Sequence, residues 1–148
     1  MMTDLNLAKE QLMNGAYTCV LRKNDMVYCS QERGVKPLLI WLDSDIDFNG
    51  YSAADKVVGK AAAMLYVLLG VSNVHAIVIS VKAKEVLEKN GIGVTYDSLV
   101  ERIHNRTNTG FCPMEEAVWE MEDLQEALQA VRDKVAALAV NKPDNKKE

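Results

Sequence analysis

The chain has 148 residues, a usual length for one domain with a hydrophobic core of its own. Its 17 lysines and arginines against 21 aspartates and glutamates give a net charge of −4, so we expect no nucleic acid as its main partner. The chain starts without a basic segment before an apolar run, and no stretch has the length and apolarity of a membrane span. We therefore expect a cytoplasmic protein with no membrane partner, and its three widely spaced cysteines indicate reduced thiols.

The first quarter of the chain predicts a helix, a hairpin and a second helix. Residues 3–13 have the spacing of a short amphipathic helix. Residues 17–21 and 26–29 are two β-rich runs joined by a polar turn, which favours a β-hairpin. Residues 34–41 carry Pro37 where the first turn of a helix accepts proline, so we predict a short helix there.

The segment 50–70 is almost wholly apolar after Lys60 and is too long for a strand. Ser52 and Asp55 have the spacing of a capping box at its start. Gly70 stands where a left-handed C-terminal cap is common. The segment therefore predicts one long central helix that is buried on most sides.

A β-α-β step follows. Residues 74–80 form a nearly continuous β-branched run, which is typical of a strand covered on both faces in a parallel or mixed sheet. Residues 81–89 predict a helix and residues 93–96 the next strand. A short helix is expected over 98–103.

The last part of the chain predicts a polar loop and two helices. Residues 105–116 run from a loop into a helix with Pro113 at its first position, and loops of this kind often carry function. The final helix has one apolar stripe, predicted to be a core or dimer contact. The stripe consists of Met121, Leu124, Leu128, Val131, Val135 and Leu138. We expect a single domain over residues 1–140 and a disordered tail over 141–148.

Two motifs carry a resemblance to a known family. They are Ala-Asp-Lys-Val-Val-Gly-Lys-Ala-Ala-Ala over residues 54–63 and Gly-Phe-Cys-Pro-Met-Glu over residues 110–115. With the order of elements over residues 15–120, they resemble a small prokaryotic family of unknown function with a cytidine-deaminase-like fold. The resemblance implies an α/β protein, a three-layer α/β/α sandwich with a mixed sheet. It implies no substrate, because the family has no established activity.

The sequence departs from true zinc deaminases at their metal ligands. Those enzymes carry His-x-Glu or Cys-x-Glu at the start of the first buried helix and Pro-Cys-x-x-Cys at the start of the next. The corresponding positions, 54–56 and 80–84, offer no His or Cys, and Lys56 and Lys82 add positive charge. We therefore expect no metal and no cofactor.

The predicted central helix supplies the first group of candidate site residues. Asp55 is a candidate catalytic base, although a capping role with Ser52 explains it equally. Lys56 and Lys60 are predicted one helical turn apart on the same face. With Gly59 they would bind a phosphate or carboxylate; the alternative is a solvated helix edge. Gly59 indicates a close approach of backbone or ligand, or a helix–sheet packing point.

The loop before the fifth predicted helix supplies the second group. Cys112 at a helix start is a candidate nucleophile, although an inert thiol is the alternative. Glu115 is a third catalytic candidate, although its charge in the first helical turn opposes a lowered thiol pKa. Asn105 and Arg106 are candidates for holding an anionic or amide-bearing ligand; the alternative for Arg106 is a salt bridge that orders the loop.

These candidates support three functional hypotheses. The preferred one is a metal-free site for a small anionic or nucleotide-like ligand, with acid–base or thiol chemistry if the protein is an enzyme. The second is a catalytically inactive interaction or sensor module that self-associates as a homodimer through an exposed helix stripe. The third is an atypical zinc-dependent nucleoside or base deaminase that uses Cys112 and His104.

Overall fold

A computed structural model describes residues 3–105 and 107–141 of the chain. The described residues form six helices and five strands. They are α1 (Asp4–Asn14), β1 (Cys19–Lys23), β2 (Met26–Ser30), α2 (Lys36–Leu42), β3 (Ser52–Val58), α3 (Lys60–Leu69), β4 (Asn73–Ser80), α4 (Val81–Lys89), β5 (Gly93–Val100), α5 (Pro113–Ala117) and α6 (Leu124–Asn141). None of these helices is both long and apolar enough to cross a membrane.

The five strands form one mixed sheet in the order β2-β1-β3-β4-β5. β1 is antiparallel to both β2 and β3, whereas β3, β4 and β5 run parallel. Helices α3 and α4 are the crossovers that parallel pairing requires. The carboxyl ends of β3, β4 and β5 therefore meet at one edge of the sheet, where α3 and α4 begin.

Helices cover both faces of the sheet. Helix α1 packs against β1 and β3, with Ala8 and Leu12 in a small core beside Val20 and Ala54. The larger core lies on the other face, around α3. Because α3 contacts α2, α4, α5 and α6 as well as the sheet, nearly its whole surface is buried, which explains its apolar composition.

The prediction of one long helix over residues 50–70 is wrong. Ser52–Val58 forms the central strand β3, and only Lys60–Leu69 is helical. The strand contains two alanines, a lysine and an aspartate, residue types that disfavour strands, so its local composition is closer to that of a helix. Its pairing with β1 and β4 overrides this preference, and Ser52 and Asp55 consequently lie in a strand and form no capping box. The predicted cap at Gly70 is confirmed, with a left-handed φ of 83°.

The structure confirms the first helix, the hairpin, the second helix, β4 and α4. The short helix expected over 98–103 is wrong, because β5 continues to Val100. Ser98 and Leu99 pair with Val78 and Ile79 of β4. This parallel pairing links residues distant in sequence, so the local pattern does not reveal it.

Helix α6 covers the larger core. Its residue Val131 is fully buried, and most of the predicted stripe packs against the core, whereas Leu138 is exposed. The stripe is therefore mainly a core contact. Helix α6 includes Asn141, the first residue of the predicted tail, and residues 142–148 lie outside the described part of the chain.

Candidate functional site

The buried carboxylate of Glu115 links the carboxyl ends of the three parallel strands. Glu115 belongs to α5 and is 1% exposed. Its Oε2 accepts hydrogen bonds from the Lys60 N–H, at 2.8 Å, and from the Ser80 hydroxyl. Its Oε1 accepts from the Ile103 N–H at 2.7 Å. Each donor lies just beyond, or at the end of, a different parallel strand.

These donors are available to Glu115 because none of them has a hydrogen-bond partner within its own helix or strand. Lys60 is the first residue of α3, where backbone N–H groups have no partner inside the helix. Ser80 caps α4 by accepting from the Ala83 N–H at 3.2 Å, which leaves its own proton for Glu115. The Glu115 carboxylate thus occupies the anion-binding position at the start of α3. An external anion has no room at the same N–H group.

Gly59 makes the approach of Glu115 possible. It precedes α3 in an extended conformation, and a Cβ at this position would lie 3.2 Å from Ile103 Cγ1 and 3.3 Å from Glu115 Oε2. Both distances are tighter than ordinary contacts. Of the alternatives predicted for Gly59, the structure displays a close packing point, but between a strand end and α5. Its predicted role in ligand binding stays a prediction.

Asp55 lies in a second buried cluster, between β3 and α3. Its Oδ2 accepts from the Tyr66 hydroxyl at 2.6 Å and its Oδ1 from the Val57 N–H at 3.3 Å. The Cys19 thiol is 2.9 Å from the Tyr66 hydroxyl and donates to it, since the hydroxyl proton goes to Asp55. Burial raises the pKa of Asp55 to about 6, although the hydrogen bond from Tyr66 opposes the shift.

The three catalytic candidates, Asp55, Cys112 and Glu115, do not form one hydrogen-bonded site among the described residues. No hydrogen bond of Asp55 reaches Cys112 or Glu115 among the described residues. Cys112 is the half-buried N-cap residue of α5, and its side chain forms no capping hydrogen bond. The catalytic roles of all three therefore stay predictions.

Lys56 and Lys60 do not share a helix face, so that part of the prediction is wrong. Lys56 is exposed in β3, on the opposite side of the strand from Asp55, because side chains alternate along a strand. Lys60 is only 7% exposed. Its ammonium donates to the backbone oxygens of Trp119, at 2.8 Å, and Met121, at 2.6 Å.

A second lysine converges on the same carbonyl oxygen. The Lys82 ammonium, at the start of α4, donates to the Trp119 oxygen at 3.0 Å and lies 4.0 Å from the centre of the Trp119 ring. Burial and the nearby Lys82 charge lower the pKa of Lys60. Within the described residues, neither ammonium forms an ion pair with a carboxylate.

These two lysines border a cleft of about 300 Å³ between α3, α4 and residues 119–124. Met64, Val86 and Leu124 give it an apolar wall. The sequence pattern does not single out this site, although it contains one signal for it. Lys82, Glu85, Val86 and Lys89 recur at three- and four-residue spacings in α4, and all four line the cleft.

A row of cationic and aromatic side chains continues beside the cleft. The Arg102 guanidinium lies 3.9 Å from the centre of the Trp119 ring and 4.0 Å from that of Phe111. His104 stacks on Phe111 at a centroid distance of 5.3 Å. Within the part of the chain that the structure describes, no three His, Cys, Asp or Glu side chains form a group that could hold a metal ion.

Asn105 orders its own loop. Its side-chain oxygen accepts from the Thr109 N–H at 3.0 Å and from the Thr107 hydroxyl at 3.3 Å. These bonds hold the loop together, and a role of Asn105 in binding stays a prediction. Arg106, the other candidate in this loop, lies outside the described residues.

Comparisons with known proteins identify the family. A family model described as a domain of unknown function, DUF1893 (TM1506), matches residues 7–135. The chain belongs to this family. The predicted membership in a family of unknown function is thus confirmed.

A solved relative shows the same architecture. The crystal structure of a DUF1893 family protein, TM1506 from Thermotoga maritima, superposes with a TM-score of 0.81 at 26% identity. The match covers 90% of this chain and 92% of that one. A comparison with curated proteins gives no match. The DUF1893 family therefore defines the mixed α/β architecture but assigns no activity.

Proposed function

We propose that this DUF1893 protein binds a small anionic ligand in the cleft between α3, α4 and residues 119–124. The observation that carries the proposal is the convergence of the Lys60 and Lys82 ammonium groups on one oxygen, that of Trp119, at 2.8 and 3.0 Å. A carbonyl oxygen carries only a partial charge, so it does not neutralise two cations. An anion between the ammonium groups would do so.

The electrostatic cost of this arrangement is considerable. Since both nitrogens contact one oxygen, they lie at most 5.8 Å apart. At an effective dielectric constant of about 20, two unit charges at this separation repel by about 3 kcal/mol. Lys60 uses two of its three N–H groups and Lys82 uses one, so both ammonium groups retain donors for a ligand.

The position of the cleft also supports the proposal. Lys60 and Lys82 directly follow the regions where β3 and β4 end, and ligands of α/β proteins commonly bind beyond the carboxyl ends of parallel strands. A mixed sheet with helices on both faces is compatible with the three-layer, cytidine-deaminase-like sandwich that the sequence resembles, and we retain that fold as part of the proposal. A cytoplasmic location is likewise part of the proposal.

The proposal concerns ligand binding at this cleft and includes no catalytic step. The cleft is lined by neither Asp55, Cys112 nor Glu115. The nucleotide-like ligand expected from the fold resemblance gains no support from these three residues. The anionic part of that expectation is the part that the two lysines favour.

The test compares a Lys82→Met variant with the wild type by nuclear magnetic resonance of the tryptophan indole groups. The probes are inorganic phosphate and small carboxylates. We expect the indole signal of Trp119 to shift on titration, while that of Trp41, which lines a different groove, stays unchanged. Lys82→Met should weaken binding at least tenfold, since a charged hydrogen-bond donor is lost.

A matched control lies on the same helix. Lys84→Met removes a charge from α4 that bonds to Glu88 and does not line the cleft, so it should leave the titration unchanged. If no probe shifts the Trp119 signal, or if Lys82→Met responds like the wild type, the proposed function is wrong.

A second candidate function, self-association, is favoured by strand β5. Within the described residues β5 pairs only with β4, so its outer edge is open over eight residues. It contains no Lys or Pro, which commonly protect edge strands, and Tyr96 and Leu99 are exposed. A second copy would offer the same edge to an antiparallel two-fold contact. Sedimentation should then show a dimer that Leu99→Lys dissociates, and a wild-type monomer at micromolar concentration contradicts this candidate.

A further inference from the structure

We infer that the ligand of the cleft is a small zwitterion, with a carboxylate at the two lysines and an ammonium group at the exposed carboxylates of Glu85 and Glu120, on the rim of the cleft. This inference rests on the proposed function, because it assigns a chemical class to the ligand of the same site. It depends on how positive and negative side chains are distributed around the cleft.

The lining is balanced in charge. Besides Lys60 and Lys82, the cleft is bordered by Lys89 and by three carboxylates, those of Glu85, Glu120 and Glu122. Among the residues that the structure describes, three lysines against three glutamates give the lining no net charge. A ligand with several negative charges, such as a nucleoside diphosphate, would meet these carboxylates as well as the lysines. The lining thus favours a ligand whose own charges sum to zero.

The lining also contains charges of both signs that have no ion-pair partner. Lys60 and Lys82 both bond to the Trp119 carbonyl and form no ion pair among the described residues, so their positive charges lie close together. Glu85 and Glu120 are exposed and form no ion pair among the described residues. Glu122 is already within 3.6 Å of Lys89. The unpaired carboxylates are therefore those of Glu85 and Glu120, which can accept an ammonium group.

Size and the apolar wall restrict the ligand further. A volume of about 300 Å³ is the share of about ten water molecules in the liquid. It also lies at the lower end of ligand-pocket volumes. Met64, Val86 and Leu124 offer apolar contact to a side chain. An α-amino acid with an aliphatic side chain has no net charge, fits this volume and offers an apolar side chain to the wall.

The experiment uses two matched pairs of probes, leucine with 2-hydroxyisocaproate and alanine with lactate. Members of a pair differ only in the ammonium or hydroxyl group on the α-carbon. Titrations followed at the Trp119 indole should give at least tenfold tighter binding of leucine than of its hydroxy acid, since a charge-assisted hydrogen bond is lost in the latter.

Variants at the rim test the cause of the preference. Glu85→Gln combined with Glu120→Gln should bring leucine and its hydroxy acid to similar affinity. Glu88→Gln, on the same helix but outside the cleft, should keep the preference. A preference that survives the double substitution overturns the inference.

The outcomes separate this inference from the proposed function. Equal binding of amino and hydroxy acids that still requires Lys82 overturns the zwitterion and leaves anion binding intact. Binding of inorganic phosphate alone has the same meaning. Failure of every probe, phosphate included, overturns both.

Discussion

Replacing Asp55 by Asn should change how the stability of the protein depends on pH. The pKa of this carboxyl is raised by burial from 3.8 to about 6, so the folded state holds the proton more tightly than the unfolded chain. Its contribution to stability is complete below about pH 3.8 and is lost as the pH rises to about 6. The shift corresponds to about 3 kcal/mol, since each pKa unit is worth about 1.4 kcal/mol.

Asparagine retains the hydrogen bonds of the cluster without the charge. Its oxygen can accept from the Val57 N–H, and its amide can donate to the Tyr66 hydroxyl, whose proton then goes to Cys19. The free energy of unfolding of Asp55→Asn, relative to the wild type, should therefore rise by about 2 kcal/mol between pH 4 and pH 7, since part of the full contribution is already lost at pH 4.

Urea unfolding at half-unit steps of pH measures this difference. Asp25→Asn, in the exposed turn between β1 and β2, is the control and should follow the wild type at every pH. A difference between Asp55→Asn and the wild type that stays constant from pH 4 to 7, or that falls as the pH rises, refutes the assignment of a raised pKa.

Two further substitutions test the region around Glu115. Glu115→Gln should lower the free energy of unfolding by about 2–4 kcal/mol, since an amide cannot accept hydrogen bonds from all three donors. Urea unfolding measures this loss. The control is Glu116→Gln at an exposed position, which should cost under about 0.5 kcal/mol. A cost for Glu115→Gln no larger than that control contradicts the three-bond arrangement. Gly59→Ala should cost about 1–3 kcal/mol in the same assay because its Cβ meets Ile103 and Glu115, whereas Gly110→Ala meets only an ordinary contact at 3.7 Å. Equal stability of the two alanine variants would show that the space at Gly59 is not tight.

The parts of the fold that the sequence predicts are those with a local signal. The β-branched run in β4, the amphipathic pattern of α4 and the Gly70 cap each depend on neighbouring residues, and each is confirmed. The prediction for β3 is wrong because the signal that makes it a strand is not local. The two alanines, lysine and aspartate of β3 disfavour a strand, and its pairing with β1 and β4 overrides that preference.

The candidate site was harder to predict because its contacts join distant residues. Glu115 bonds to residues 55 and 35 positions earlier, and Lys82 bonds to a carbonyl 37 positions later. No spacing rule connects such pairs. The sequence predicts that the motifs around Gly59 and Glu115 form one ligand site, whereas the structure shows a direct contact between the two motifs.

The position of Glu115 late in the chain limits when its three hydrogen bonds can form during synthesis. Strands β3, β4 and β5 leave the ribosome before α5, so the donors at Lys60, Ser80 and Ile103 lack their acceptor until residue 115 has been made. Among the described residues, the side-chain hydrogen bonds of the N-terminal hairpin and α1 reach no residue later than Tyr66. During synthesis this sheet edge consequently cannot close before residue 115 is available, and a nascent chain arrested before Glu115 leaves these three donors to be satisfied by water.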